Sequence, residues 1–338
     1  MGKNKFRVSF AAMGILVLII DAKTALEGAA SGISLCLQSV VPSIFPFLVL
    51  TGVLNSMMLG ATCSWIRPLG KLLKIPDGTQ MIFLTGLLGG YPAGAQAVFQ
   101  AWKNKQLDRS QAARMLAFCN NAGPAFLFGI LGAKFISSSV AWALWGIHIL
   151  SAVAVGCLLP GKLSDRANVK GSPLTWTQAV RQSVRTMGII CGWIVLFRIL
   201  LSFLDRWFLW AIPIPLRVTI YGLLELANGC CNLHLISLPG LRFVIASVLL
   251  SFGGLCITTQ TASVVEDLGM KQYFLGKLLQ TAISLLLSIL LQFMLFSSSE
   301  RIDIPWLLLW IPLVFVAGIT IYMGKNKNNS SIPATLGV

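Results

Sequence analysis

Apolar residues run through this chain in blocks rather than in strict alternation. The blocks lie at approximately 8–22, 28–58, 79–101, 112–134, 138–160, 176–204, 216–236, 241–265, 272–297 and 304–323. A helical bilayer crossing needs about 20 predominantly apolar residues, so these blocks predict helices in or at a membrane. The one clearly hydrophilic stretch between them is 162–174, with Lys162, Asp165, Arg166, Lys170, Gly171 and Pro173, and it parts the chain into halves of similar size. The expected organisation is therefore an N-terminal transmembrane helix (1–27), a first repeat (28–160), a linker (161–175), a second repeat (176–297), a C-terminal transmembrane helix (298–324) and a tail (325–338). The tail is rich in Asn, Ser and Lys and predicts disorder. At the other end, a basic start followed by an apolar run to Ile20 has the outline of a signal peptide. It lacks a small-x-small cleavage site and reads as an uncleaved helix cut short by Asp21.

Composition sharpens this to an all-α polytopic membrane protein. Only 11% of residues are charged against 56% hydrophobic, whereas soluble domains carry about 25% charged residues. The net charge of +15 does not point to nucleic acid, which needs a continuous basic face. Its Lys and Arg sit in short gaps between apolar blocks, as membrane-flanking charges do. The eight cysteines have no metal-ligand spacing: Cys36, Cys119, Cys157, Cys191 and Cys256 lie in apolar runs, and the Cys230–Cys231 pair has no partner pair. No metal and no cofactor is expected. Basic residues flank 79–101 on both sides (Arg67, Lys71 and Lys74; Lys103, Lys105 and Arg109). A full crossing would put one of these loops on the wrong side, so a broken, re-entrant hairpin is expected, eased by Gly86, Gly89, Gly90, Pro92 and Gly94.

Two stretches pair across the halves. Residues 89–97 read GGYPAGAQA and 253–261 read GGLCITTQT, each with a Gln seven residues after its first Gly and an apolar approach before it. Upstream, 44–54 and 190–200 also match in pattern, Pro46 standing opposite Gly192. The second half holds extra length, which segment 216–236 can supply. Matching Gly/Pro interruptions in two halves are the sequence form of an inverted-repeat carrier, in which broken helices line a polar cavity. The competing reading is close helix packing through small residues.

The candidate solute-binding residues are Gly89, Gly90, Tyr91, Pro92 and Gln96 in the first break. Gly253, Gly254, Thr258, Thr259 and Gln260 form the second, with Asn120 and Asn121 of FCNNAGP beside them. Both Gln amides suit a neutral polar solute or each other, and the two Asn amides suit either that cavity or backbone groups freed near Pro124. Glu225 is the sharpest charge in an apolar stretch and, with Asn228 one turn on, the candidate for ion coupling. Arg198 is expected to snorkel toward the headgroups rather than pair with Glu225, and His148 is a lone histidine. No P-loop, paired metal-binding His or nucleophile elbow is present, so no enzyme activity is expected.

The stretches VVPSIFPFLVLTGVL (40–54), GGYPAGAQA (89–97), LAFCNNAGPAFLFGILG (116–132) and LLSFGGLCITTQTAS (249–263) resemble the YlbJ-type sporulation integral membrane proteins. Those are grouped with nucleoside-recognition, or Gate, domain membrane proteins, and the likeness runs from about residue 28 to 295. It implies two Gate-like repeats with broken or re-entrant helices. It also implies multi-pass residence in a bacterial cytoplasmic membrane, the forespore membrane included, and a part in sporulation. Two functional readings follow: a transporter of a small polar solute, nucleoside-like or another metabolite and open to ion coupling, or a non-transporting assembly factor for spore maturation. The expected partners are the lipid bilayer and a small polar solute, with homo-oligomers open and nucleic acid excluded.

Overall fold

The computed structural model describes residues 2–58, 64–131, 138–161, 173–302 and 310–329, and every regular element in them is helical. Helix α1 (Gly2–Ile20) ends at Asp21, whose carboxylate accepts the Thr24 N–H and caps α2 (Ala22–Leu35). A π-helical turn, Cys36–Val40, leads into α3 (Val41–Met58), so Ala22–Met58 forms one long apolar element. After the short α4 (Arg67–Leu72) come α5 (Met81–Gly89) and α6 (Ala93–Lys103). Then follow α7 (Arg109–Cys119), the single-turn α8 (Pro124–Phe126), which continues as a π-helical turn, and α9 (Ser138–Leu158).

Beyond 161 the chain resumes with α10 (Trp176–Trp207), α11 (Ile214–Leu224), α12 (Leu226–Asn232) and α13 (Pro239–Phe252). It continues with α14 (Gly254–Val265), α15 (Lys271–Leu295) and α16 (Trp310–Asn329). Among the described residues five elements are long and apolar enough to span a bilayer: Ala22–Met58, Ser139–Leu158, Trp176–Trp207, Pro239–Leu268 and Lys271–Leu295. Large apolar side chains stand exposed along them, among them Leu196, Leu200, Leu290 and Met294. Water would not support that surface and lipid does.

Helices α5 and α6 fold back on each other as a hairpin. Each is about 14–17 Å long, half a hydrocarbon core, and Gly86 of one faces Gly94 of the other. Helices α11 and α12 form a second hairpin turning at Glu225, with Gly222 against Gly229. The α13–α14 junction differs: the chain runs onward through Gly253, so that α13 packs on α15 and α9 while α14 packs on α10 and α6. The two Gly-Gly stretches that pair in sequence therefore hold different places. Gly89–Gly90 end one arm of a hairpin, and Gly253–Gly254 join two helices that pack on different partners. Segment 216–236 is not spare length; it is the second hairpin and its exit.

Most of the hydrophilic linker at 162–174 lies outside the described residues, as do 330–338 of the expected tail. Helix α16 runs on past Lys325 to Asn329, since nothing between them breaks a helix.

Candidate functional site

Four interruptions converge near the middle of the molecule, and each leaves backbone groups that need partners. The first lies at Gly90–Pro92, where Gly90 adopts φ +73°. Pro92 offers no side-chain cap to α6. Asn120 supplies one instead, its Oδ1 accepting the Ala95 N–H at 3.2 Å. The second interruption is Asn120–Gly123. Asn121 Nδ2 donates to the Phe118 carbonyl at 2.7 Å, and the Ala122 N–H donates to His148 Nε2 at 3.0 Å. The two interruptions touch: a Cβ on Gly90 would lie 3.0 Å from the Gly123 nitrogen.

Glu225 makes the third. Its two carboxyl oxygens accept the Ala227 and Asn228 N–H groups at 2.9 and 2.6 Å, so a buried acidic side chain caps the start of α12. Arg198 does not snorkel. It donates to the Asn228 side chain and to Ser31, tying α10 to the second hairpin and to α2. Its hydrogen bond goes to Asn228, whose N–H Glu225 accepts, and its charge acts on Glu225 through space.

The fourth is Gly253–Gly254, both with φ near +80°. Gly254 backs onto the Gly222 carbonyl, so this junction meets the second hairpin as the second interruption meets the first. Thr258 and Thr259 return their hydroxyls to carbonyls of their own helix, at 3.0 and 2.7 Å. Gln260 is buried and donates to Cys256 Sγ at 3.2 Å.

Two hollows flank this meeting point. A small cavity of about 40 Å³ lies between the hairpin tips, bordered by Gly90, Tyr91, Gly123, Glu225, Ala227 and Gln260. A larger cleft of about 200 Å³ lies on the other side of the first hairpin, and among its walls are Thr51, Asn55, Thr85, Gln96, Gln100 and Gln182. Gln96 and Gln260 thus border different hollows instead of facing each other. The Gln96 Oε1 accepts from Thr186 at 3.4 Å. Asn120 and Asn121 are fully buried and line neither hollow, their amides being spent inside the protein.

The sequence reading missed the residue that joins these parts. Lys277 is buried in α15, donating to Tyr91 Oη at 3.1 Å and to Gln280 Oε1 at 2.7 Å. Tyr91 passes the bond on to the Leu250 carbonyl at 3.1 Å, and Gln280 passes its own to Asn121 at 3.1 Å. One side chain thereby links the first hairpin, the Asn121 break and the end of α13. A signal for it is present in the sequence. Lys277, Gln280, Ser284, Ser288 and Gln292 recur at spacings of three and four along an otherwise apolar helix, and all five are buried.

No family model matches the chain, and no solved structure matches it. A curated relative is the sporulation integral membrane protein YlbJ of Bacillus subtilis (strain 168), 24% identical over a match covering 78% of this chain and 76% of the relative. With five membrane-length apolar helices and this distant homology, the chain is a multi-pass integral membrane protein related to a sporulation membrane protein.

Proposed function

We propose that this protein is a membrane carrier, not an enzyme, for a small uncharged polar solute, acting in sporulation. The cleft beside the first hairpin carries the proposal. Its polar lining is all amides and hydroxyls, set beside Leu48, Leu174 and three alanines, with no charged side chain among them, a surface that offers donors and acceptors to a neutral solute and no counter-charge to an ion. The first hairpin stands between cleft and cavity, with Ala93 and Gln96 toward the cleft and Gly89 and Gly90 toward the cavity. A movement of that hairpin would join the two hollows, as alternating access requires.

The order of elements supports a two-repeat, inverted design. A long helix (Ala22–Met58), a hairpin (α5–α6), an interrupted helix (α7–α8) and a long helix (α9) are followed by the same series: α10, α11–α12, α13–α14 and α15. In this reading Glu225 is the counterpart of Gly90–Pro92, and Gly253 of Asn120–Gly123. Glu225, at the second hairpin tip, is the candidate coupling group.

A second reading, a membrane assembly factor that moves nothing, draws on one observation: the cavity between the tips holds only about 40 Å³, room for a few waters and no metabolite. Thermal stability of the purified protein against nucleosides, sugars and other neutral metabolites separates the two. A solute at 100 times its Kd adds about 2.7 kcal/mol, and Gln96→Leu should remove that gain. Absence of a shift with every compound, together with a position 96 cysteine inert to aqueous thiol reagents, would favour the assembly factor.

A further inference from the structure

We propose that Lys277 is a proton-binding site whose loading opens the helix breaks, a role that holds for carrier and assembly factor alike. The amine is 1% exposed and has two acceptors, Tyr91 Oη and Gln280 Oε1. A free amine has two N–H groups for these two acceptors. An ammonium would place a full charge there with no counter-charge: among the described residues Glu225 is the only buried carboxylate, and it is spent on the start of α12. The rings of Tyr91 and Tyr273, with centroids 5.0 and 6.0 Å from Nζ, offset part of that cost, far less than water would. Gaining a proton therefore favours an arrangement in which water reaches Lys277. The nearest route lies past Tyr91, which borders the small cavity.

The other ionisable groups around Lys277 do not fill this role. On α9, His148 accepts the Ala122 N–H through Nε2, so its proton sits on Nδ1; a second proton would break that bond at the Asn121 break alone, since the His148 ring bonds neither the hairpin tip nor the end of α13. On α7, Cys119 ends the helix inside the packed core, and Arg114 is held by the carbonyls of Leu73 and Gly156. Tyr91 and Tyr273 are phenols that stay protonated over the physiological range in water. Among titratable groups α13 carries only Arg242, bound to the Ile236 carbonyl, and α14 only Cys256, bonded to Gln260. Tyr322 of α16 faces Lys271 instead. Once Lys277 is charged and hydrated, Tyr91 and Gln280 lose their shared donor. The first hairpin tip, the Asn121 break and the end of α13 are then released together.

Hydrogen–deuterium exchange in lipid nanodiscs between pH 5 and 9 tests this, read on peptides spanning 86–93, 118–125 and 249–257 and corrected for the intrinsic pH dependence of exchange. In the wild-type protein the opening of all three should rise as pH falls, by up to about 10-fold per unit for a single proton. Lys277→Met should flatten the profile, Lys277→Arg should leave the breaks open at every pH, and His148→Gln should keep the wild-type slope. A flat wild-type profile overturns the proposal without recourse to any variant. So does a slope that survives in Lys277→Met or disappears in His148→Gln.

Discussion

Replacing Gly86 with alanine tests whether the first hairpin is clamped on the end of α7. The Cys119 carbonyl, left without a helical partner where α7 stops, enters between the hairpin arms. A Cβ at Gly86 would lie 1.6 Å from that oxygen, and one at Gly94 would lie 1.9 Å from it. Carbon and oxygen in contact stay about 3 Å or more apart, so the arms and the α7 end would have to separate by roughly 1.5 Å; overpacking of this kind costs about 1–3 kcal/mol. The upper end applies here, because the obstacle is backbone and has no rotamer to yield. Gly146 is the control, since it is helical, with nothing within 4 Å of where its Cβ would stand. Alanine there should gain about 0.5–1 kcal/mol from helix propensity. Gly86 is helical as well, so the propensity gain is common to both, and equilibrium unfolding in mixed micelles should separate Gly86→Ala from Gly146→Ala by about 1–3 kcal/mol. Equal stability of the two variants would refute a carbonyl seated between the arms.

Other substitutions probe the rest of the convergence. Asn120→Ala removes the acceptor of the Ala95 N–H and the donor to Thr261; with both groups buried, a loss of about 2–4 kcal/mol is expected in the same unfolding assay. Arg198→Met should cost about 1–3 kcal/mol by freeing Asn228 and Ser31, and should speed proteolysis between α10 and α11. Asp21→Asn breaks an ion pair with the half-exposed Arg206 at 3.2 Å. Such pairs are worth about 0–1 kcal/mol, so its effect should stay under about 1 kcal/mol and shrink with added salt.

Membrane residence, helix content and the hairpin at 79–101 were legible because they rest on block length and on residues that break helices. The pairing of the two Gly-Gly stretches was misleading for a physical reason. A pair of glycines serves a hairpin tip and a junction between two helices equally well, and sequence does not say which way the chain leaves. Glu225 looked like a lone charge, yet it is a cap for α12, and no sequence pattern announces a hairpin whose turn is an acid. Gln96 and Gln260 matched in spacing, but α6 and α14 pack on each other with these two residues turned to separate hollows. Lys277 was readable from the polar stripe on α15. A lysine near the start of an apolar block ordinarily reaches for the headgroups, and the position alone does not distinguish that from burial.

The interruptions divide by how their backbone groups are satisfied. Glu225 caps α12 with its own carboxylate, so the second hairpin carries its partner with it. The others borrow: Ala95 N–H from Asn120, Ala122 N–H from His148, and the Leu250 carbonyl from Tyr91. A borrowed bond breaks when either element moves, and in a dry interior each broken bond leaves a costly group behind. The first hairpin, the Asn120–Gly123 break and the end of α13 are therefore coupled through these bonds, while the second hairpin, tied outward by Arg198, keeps its turn closed with its own side chain. Exchange at residues 224–232 should accordingly stay slow at every pH, even where the three peptides around Lys277 open. Fast exchange there in step with the rest would show that the Glu225 cap does not hold.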